Sequence, residues 1–416
     1  MLRPALSTPE IEIVVADDAI EQLAERTAPG ALVVMDENTR EAAGARVARA
    51  LPGAREFVFP SRSGLLAGLE QVAAVRARLS SGAALVAVGS GVITDIVRYA
   101  AQLSDCQFVS VPTAASMDGY ASSVAAMQID GVKLTYPARA PKAIFADPRV
   151  LAAAPSELTR AGIGDLLGKV TAGVDWRAAH LLYAEPFDEE VATSVLGSMM
   201  LAAANVERLL AGEPDAIREL LHGLIQSGLA IARVGSSRPA SGCEHHASHF
   251  WDLLAARGLR EHALHGLQVG YATTFAMRLQ RFAYAGGVPE LRRPGAVAEP
   301  LGAAARAWLG EPSEEIVAAV TEKQRFAAAV PPSWPSSPTG WEAVRRELAG
   351  GLELFDGVQQ ALTLAGIPCE PGFLELDAST LEATFRHATR LRARYTVVDF
   401  LEGQGVLDQA LAAIFG

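Results

Sequence analysis

The sequence predicts an α/β N-terminal domain on a mainly parallel sheet, followed by an all-α C-terminal domain. Three observations carry this. Short β-branched runs alternate with helical patterns of roughly 10–15 residues over residues 1–150, the rhythm of βαβ units. From Leu151 to Gly416 strand signals fade and the pattern is helical and rich in Ala and Leu. The 416 residues far exceed what one core needs. The expected domains are therefore 1–150 and 151–416.

The elements follow in order. Ile11–Val15 (IEIVV) reads as a strand and Asp18–Arg26 as a helix. Ala31–Met35 (ALVVM) is a buried-strand pattern ending before Asp36, with a helix over Thr39–Ala50. Phe57–Phe59 is strand-like, and Leu65–Leu79 is helical. ALVAVGSG begins as a strand and ends in Gly89 and Gly91, before a helix from about Val92 to Gln102. Phe108–Pro112 (FVSVP) is the next strand. The character changes near Asp147-Pro148. The Pro/Ser stretch Val330–Trp341 is expected to be a surface loop.

Composition excludes several classes. Lys plus Arg number 36 and Asp plus Glu 47, a net charge of −11. Neither nucleic acid nor an anionic membrane attracts such a chain at long range. The three cysteines, Cys106, Cys243 and Cys369, form no CxxC pair. A disulfide framework and a cysteine zinc site are not expected, and the cytoplasm is. The first 15 residues carry no apolar leader segment, and no membrane span is expected.

ALVAVGSGVITDIVRYAA is strand, glycine turn and helix. Gly89 and Gly91 would let backbone approach a pyrophosphate at a helix N-terminus, where N–H groups favour negative charge. Asp36 could accept hydrogen bonds from ribose hydroxyls. The spacing is not GxGxxG, so on this motif alone an ordinary turn is the favoured reading. Pro112–Ser123 gathers small and hydroxyl side chains around Asp118, as either a ligand loop or a plain connection.

Five of the eight histidines lie between His245 and His265. On a helix, His245 and His249 share a face, and His246 points about 100° away. One aspartate, Asp165 in GIGDLLGK, with His245 and His265, suits a divalent metal with an open position. A helix carrying solvated histidines explains the same pattern. His246 and His262 read as solvated.

GSGVITD, PTAASMDGYAS, GIGDLLGK, SSRPASGCEHHASH, HGLQVG and RARYTVVDFLEGQG stand in one order along the chain. Together they resemble the sn-glycerol-1-phosphate dehydrogenases of the iron-containing alcohol dehydrogenase and dehydroquinate synthase-like superfamily. The resemblance implies a Rossmann-like domain before the helical one. It implies a metal on Asp165, His245 and His265, usually zinc, with nickel or iron as alternatives. It implies substrate contacts and catalysis by Asp118, Asp165 and His249. Contacts to NAD(H) or NADP(H) would come from Gly89, Ser90, Gly91, Val92, Ile93, Thr113, Ala114, Ala115, Ser116 and Ser122, with Asp36 at the ribose.

The implied reaction interconverts dihydroxyacetone phosphate and sn-glycerol 1-phosphate, with a small phosphorylated three-carbon substrate and a homodimer or larger assembly. A polyol or alcohol dehydrogenase on an unphosphorylated substrate, a dehydroquinate synthase-like cyclase and a non-catalytic ligand sensor are the other readings. Arg238 and Lys169 are candidate phosphate contacts, with Lys133 and Lys142 weaker ones. Three departures stand out. Ser90 occupies the middle of a turn usually GGG, which narrows its backbone freedom. The His245–His265 spacing is a few residues longer than in archaeal members. Arg292–Trp341 is longer and Pro-rich.

Overall fold

The computed structural model describes residues 11–61, 64–129, 132–286, 288, 290–293, 300–331 and 334–416. The segment before Ile11, where no leader is expected, lies outside them. By compactness the chain forms two units, Met1–Leu166 with Ala204–Ser236, and Leu167–Ala203 with Ser237–Gly416. The end of the strands near residue 150 is thus not where the units divide. The helix Pro214–Val234 packs on the Gly119–Ala121 turn and the Pro148–Ala152 helix. It buries Ile217, Leu220, Leu221, Leu224 and Ile225, an apolar face repeating at helical spacing.

Among the described residues, eight strands form in the first unit: β1 (Glu12–Val15), β2 (Leu32–Asp36), β3 (Arg55–Phe59), β4 (Leu85–Gly89), β5 (Phe108–Pro112), β6 (Val124–Ile129), β7 (Val132–Pro137) and β8 (Ala143–Ala146). Six make one parallel sheet in the order β1-β8-β5-β4-β2-β3. Both faces are covered, so the central strands read as continuous apolar runs. Leu32, Val34, Leu85 and Ala87 meet Val72, Val75, Ile96 and Val97 of the helices on one face. Val33, Met35, Val86 and Val88 meet Ile20, Leu23 and Val47 on the other. Alternate residues of a strand face opposite ways, which explains the division.

The sequence reading missed β6, β7 and β8. β6 and β7 pair as an antiparallel ribbon outside the main sheet. β8 joins β1 to β5 and lies just before Asp147-Pro148, where Asp147 caps the next helix.

In the second unit, helices Cys243–Ala256 and His265–Ala285 pack on each other and on Lys169–Tyr183. Trp251 is buried among them and donates its Nε1–H to Thr384 Oγ1 at 2.8 Å. The Pro/Ser stretch is not simply a surface loop. Ser337 Oγ accepts Gly340 N–H at 3.1 Å and starts the helix Pro338–Glu353. Trp341 is 2% exposed and donates to the Val288 carbonyl at 2.8 Å. An indole with a satisfied N–H packs as core, and that burial fixes the stretch. Residues 332 and 333 lie outside the described set. Among the described residues, no helix is long and apolar enough to cross a membrane.

Candidate active site

The carboxyl ends of β2, β4 and β5 bring Asp36, Gly89 and Pro112 to one edge. The register that sets this pairs Leu32 with Leu85 and Gly89 with Pro112. From β2 the chain moves outward to β3, and from β4 it moves the opposite way through β5 to β8. The order therefore reverses between β2 and β4. Open parallel sheets hold ligands at the carboxyl edge of such a reversal.

The helix Gly91–Leu103 begins at that edge. Gly89 has no room for a side chain, because a Cβ there would lie 2.7 Å from the Ile93 Cβ. Ile93 is buried in the core, so only its backbone can meet a ligand, whereas Val92 is 37% exposed. Ser90 Oγ and Ser116 Oγ are 2.6 Å apart and tie the glycine turn to the loop after β5. In that loop Thr113, Ala114, Ala115, Ser116 and Ser122 are buried. The Tyr120 hydroxyl donates to the Ala114 carbonyl at 2.6 Å. Buried Arg98 braces the same loop, donating to Val124 and Tyr120 carbonyls at 3.0 Å and pairing with Asp95 at 2.8 Å. Asp36 Oδ1 accepts Thr39 N–H at 2.7 Å, so a helix cap orients this carboxylate.

Asp118 and Asp165 meet within the first unit. The helix Ser156–Leu167 approaches the β5 loop closely at Gly162, where a Cβ would lie 1.9 Å from the Ala115 carbonyl oxygen. One turn later Asp165, fully buried, accepts the Asp118 N–H through Oδ2 at 2.9 Å. Ser227 donates to Asp118 Oδ2 at 2.9 Å. The sequence reading did not single out Ser227, since nothing local links it to Asp118.

The second unit gathers three histidines. Ring centroids are 5.3 Å apart for His245 and His265, 6.0 Å for His249 and His265, and 6.4 Å for His245 and His249. Hydrogen bonds fix two tautomers. His245 Nδ1 lies 2.8 Å from Glu244 Oε1. Burial opposes the Glu244 charge, but hydrogen bonds from His245, Gly242 and Thr171 hold its pKa below the usual carboxylate range. An ionised carboxylate only accepts, so His245 Nδ1 carries the proton.

Ser248 Oγ donates to Gln268 Oε1 at 2.9 Å, so its contact with His265 Nδ1 at 3.1 Å is accepted from the ring. Each imidazole then keeps its lone pair on Nε2, the atom a divalent metal takes when the other nitrogen is held this way. The donor set fits the expected metal. Glu244 is anchored further by Thr171 Oγ1 at 2.8 Å and Gly242 N–H at 2.6 Å. Behind it, burial and the Glu244 charge push Asp175 up to about 7. Asp175 accepts Cys243 N–H, Val397 N–H and Gln280 Nε2–H, each at 2.9 Å. Glu244 and Asp175 were missed in the sequence, although Glu244 stands directly before His245.

Residues 12–155 match the family model for iron-containing alcohol dehydrogenases. A glycerol-1-phosphate dehydrogenase [NAD(P)+] of Pyrococcus furiosus is 36% identical over 70% of this chain and 81% of its own length. One from Geobacillus stearothermophilus is 32% identical over 76% of this chain and 71% of its own. The chain belongs to the glycerol-1-phosphate dehydrogenase family. A relative from Halalkalibacterium halodurans is 38% identical, and the match spans 64% of that protein's length. In fold, the chain resembles a glycerol dehydrogenase from Schizosaccharomyces pombe, with TM-score 0.63 and 15% identity over 99% of this chain and 92% of the other.

For this family member several sequence expectations need correction. Ser90 has φ −95° and ψ −152°, ordinary extended backbone, so the turn does not demand glycine there. His246 is not solvated: it is 1% exposed. His262 is exposed. Arg238 is committed to structure, with Nε and Nη2 donating to Glu185 and Nη1 donating to the Tyr395 carbonyl at 2.7 Å. Lys169 is buried and Lys142 exposed. The Lys133 side chain lies outside the described set.

Proposed function

We propose that this is a cytoplasmic, metal-dependent NAD(P)H oxidoreductase interconverting dihydroxyacetone phosphate and sn-glycerol 1-phosphate. The observation that carries the reading is the pair His245 and His265, each with Nδ1 engaged by Glu244 or Ser248. Family membership and the donor chemistry support adding Asp165 as the third ligand. One carboxylate and two neutral imidazoles accept zinc, nickel or iron, with zinc our assignment. When bound, such an ion supplies Lewis-acid stabilisation of a developing alkoxide, and the nicotinamide supplies or takes the hydride.

The chain's own residues do the rest. Asp118, oriented by Ser227, positions a substrate hydroxyl. His249 holds or relays the alcohol proton. The turn Gly89–Ile93 and the loop residues Thr113–Ser116 and Ser122 receive the dinucleotide, and Asp36 meets its adenosine ribose. A carboxylate at that place favours NAD over NADP, because a 2′-phosphate would face it. We assign a homodimer or larger homo-oligomer, which light scattering reads directly.

The test is oxidation of NADH and NADPH by the purified protein with dihydroxyacetone phosphate, with and without zinc or nickel, and chiral analysis of the product. Metal-dependent formation of sn-glycerol 1-phosphate is expected. Metal and cofactor binding with turnover of unphosphorylated ketone alone would replace the reading with a polyol dehydrogenase.

A further inference from the structure

His246 lies on the helix Cys243–Ala256, rotated away from the His245 and His249 side. Its ring is 1% exposed, and neither nitrogen has a hydrogen-bond partner. An orphaned buried imidazole costs free energy unless something absent completes it. The charged groups facing it are Lys323, Arg394, Arg392 and the ring of His249. The helix packs on the Ala388–Leu391 turn, as does the helix Glu314–Ala328 that carries Lys323.

Most cations around this point are neutralised. Lys323 Nζ is 2.8 Å from Asp399, Arg390 pairs with Glu402, and Arg238 pairs with Glu185. Arg394 differs. Its Nη1 donates to the Ser241 carbonyl at 2.9 Å and the Ser241 hydroxyl at 2.5 Å, and its Nη2 donates to the Ser237 hydroxyl. None of these partners is a carboxylate. Burial first, and then the charges of Arg238 and Arg392, pull its pKa down to about 9. The Arg392 charge acts on both Arg394 and His246, which places it beside them.

We propose that Arg392 and Arg394, with the hydroxyls of Ser237 and Ser241 and the imidazole of His246, form the subsite for the substrate's phosphate dianion. This deepens the proposed function and rests on it. A buried guanidinium charge, with a second guanidinium and two serine hydroxyls beside it, is chemistry that recognises a phosphate. The subsite replaces Arg238, whose guanidinium is already taken by Glu185.

The test uses the zinc-loaded enzyme, with Arg394→Gln, Arg392→Gln and the conservative Arg392→Lys. Each Gln variant should raise KM for dihydroxyacetone phosphate by about 10–100-fold, the worth of a charge-assisted hydrogen bond, with kcat within about threefold. Inhibition by inorganic phosphate should weaken in parallel, the preference over dihydroxyacetone should collapse, and zinc content should hold. Arg392→Lys should recover part of the affinity. Unchanged KM in both Gln variants, or equal losses on both ketones, overturns the proposal. If the wild type turns over no phosphorylated ketone, calorimetry with inorganic phosphate still decides. Binding lost in Arg394→Gln supports the subsite, and no binding by the wild type refutes it.

Discussion

The glycine turn of the first unit and the histidine helix of the second are built from opposite materials. The turn works through backbone and small side chains, and its rigidity comes from close approach: Gly89 on Ile93, Gly162 on the β5 loop, Arg98 on three backbone carbonyls. The helix works through side chains, and its rigidity comes from buried polar partners: Glu244 and Ser248 on the rings, Asp175 on the helix start. The first kind of site is broken by adding atoms. The second is broken by removing them.

His265→Ala should give the largest effect on activity, a loss of at least about 1,000-fold from removing a metal ligand and its charge stabilisation. Metal analysis should find the ion gone while the unfolding free energy shifts by only about 1 kcal/mol. Full activity in metal-free His265→Ala would end the mechanism. Gly162→Ala tests the other kind of site. Its Cβ would stand 1.9 Å from a carbonyl oxygen, so we expect about 3 kcal/mol of destabilisation by urea unfolding. A stability equal to wild type would show that the approach is looser than it stands.

Glu244→Gln should weaken metal binding by about 10–100-fold in a competitive chelator titration, since the carboxylate no longer fixes the ring. Unaltered affinity would mean that Glu244 serves only the helix start.

The second unit also pays for burying rings that titrate. Burial, and then the charges of Arg390 and Arg386, bring His387 down from 6.5 to about 4. Its neutral form therefore supports the fold above pH 6.5, and that support drains as pH falls through about 4. Chemical unfolding at several pH values should show a flatter acid limb for His387→Gln; parallel limbs would exclude the effect. The smallest change is expected for Ser90→Gly. With ordinary backbone at Ser90, only the bond to Ser116 is lost, and KM for NADH should rise no more than about fivefold.

Much of the sheet was legible because buried parallel strands must be apolar throughout. LVVM, LVAV and FVSV announce themselves, and β2, β4 and β5 fall there. The ribbon β6–β7 did not, since VAAMQI and VKLTYP mix Ala, Gln and Lys into weak strand patterns. The Asp130-Gly131 pair between them was the available hairpin signal. Trp341 was hidden by Pro and Ser neighbours that read as loop, although its indole is core.

The sequence by itself determined the alternation of elements, the strand ends that carry Asp36 and Gly89, and the spacing that sets His245 and His249 on one helical face. Those follow from local periodicity, which needs no partner. Tertiary structure alone decided that the helix Pro214–Val234 belongs with the first unit, which imidazole nitrogen carries each proton, and that Arg238 is spent on Glu185 while Arg394 is not. Each of those depends on a group distant in the chain, and hydrogen bonds and ion pairs across such distances leave no periodic trace in the sequence.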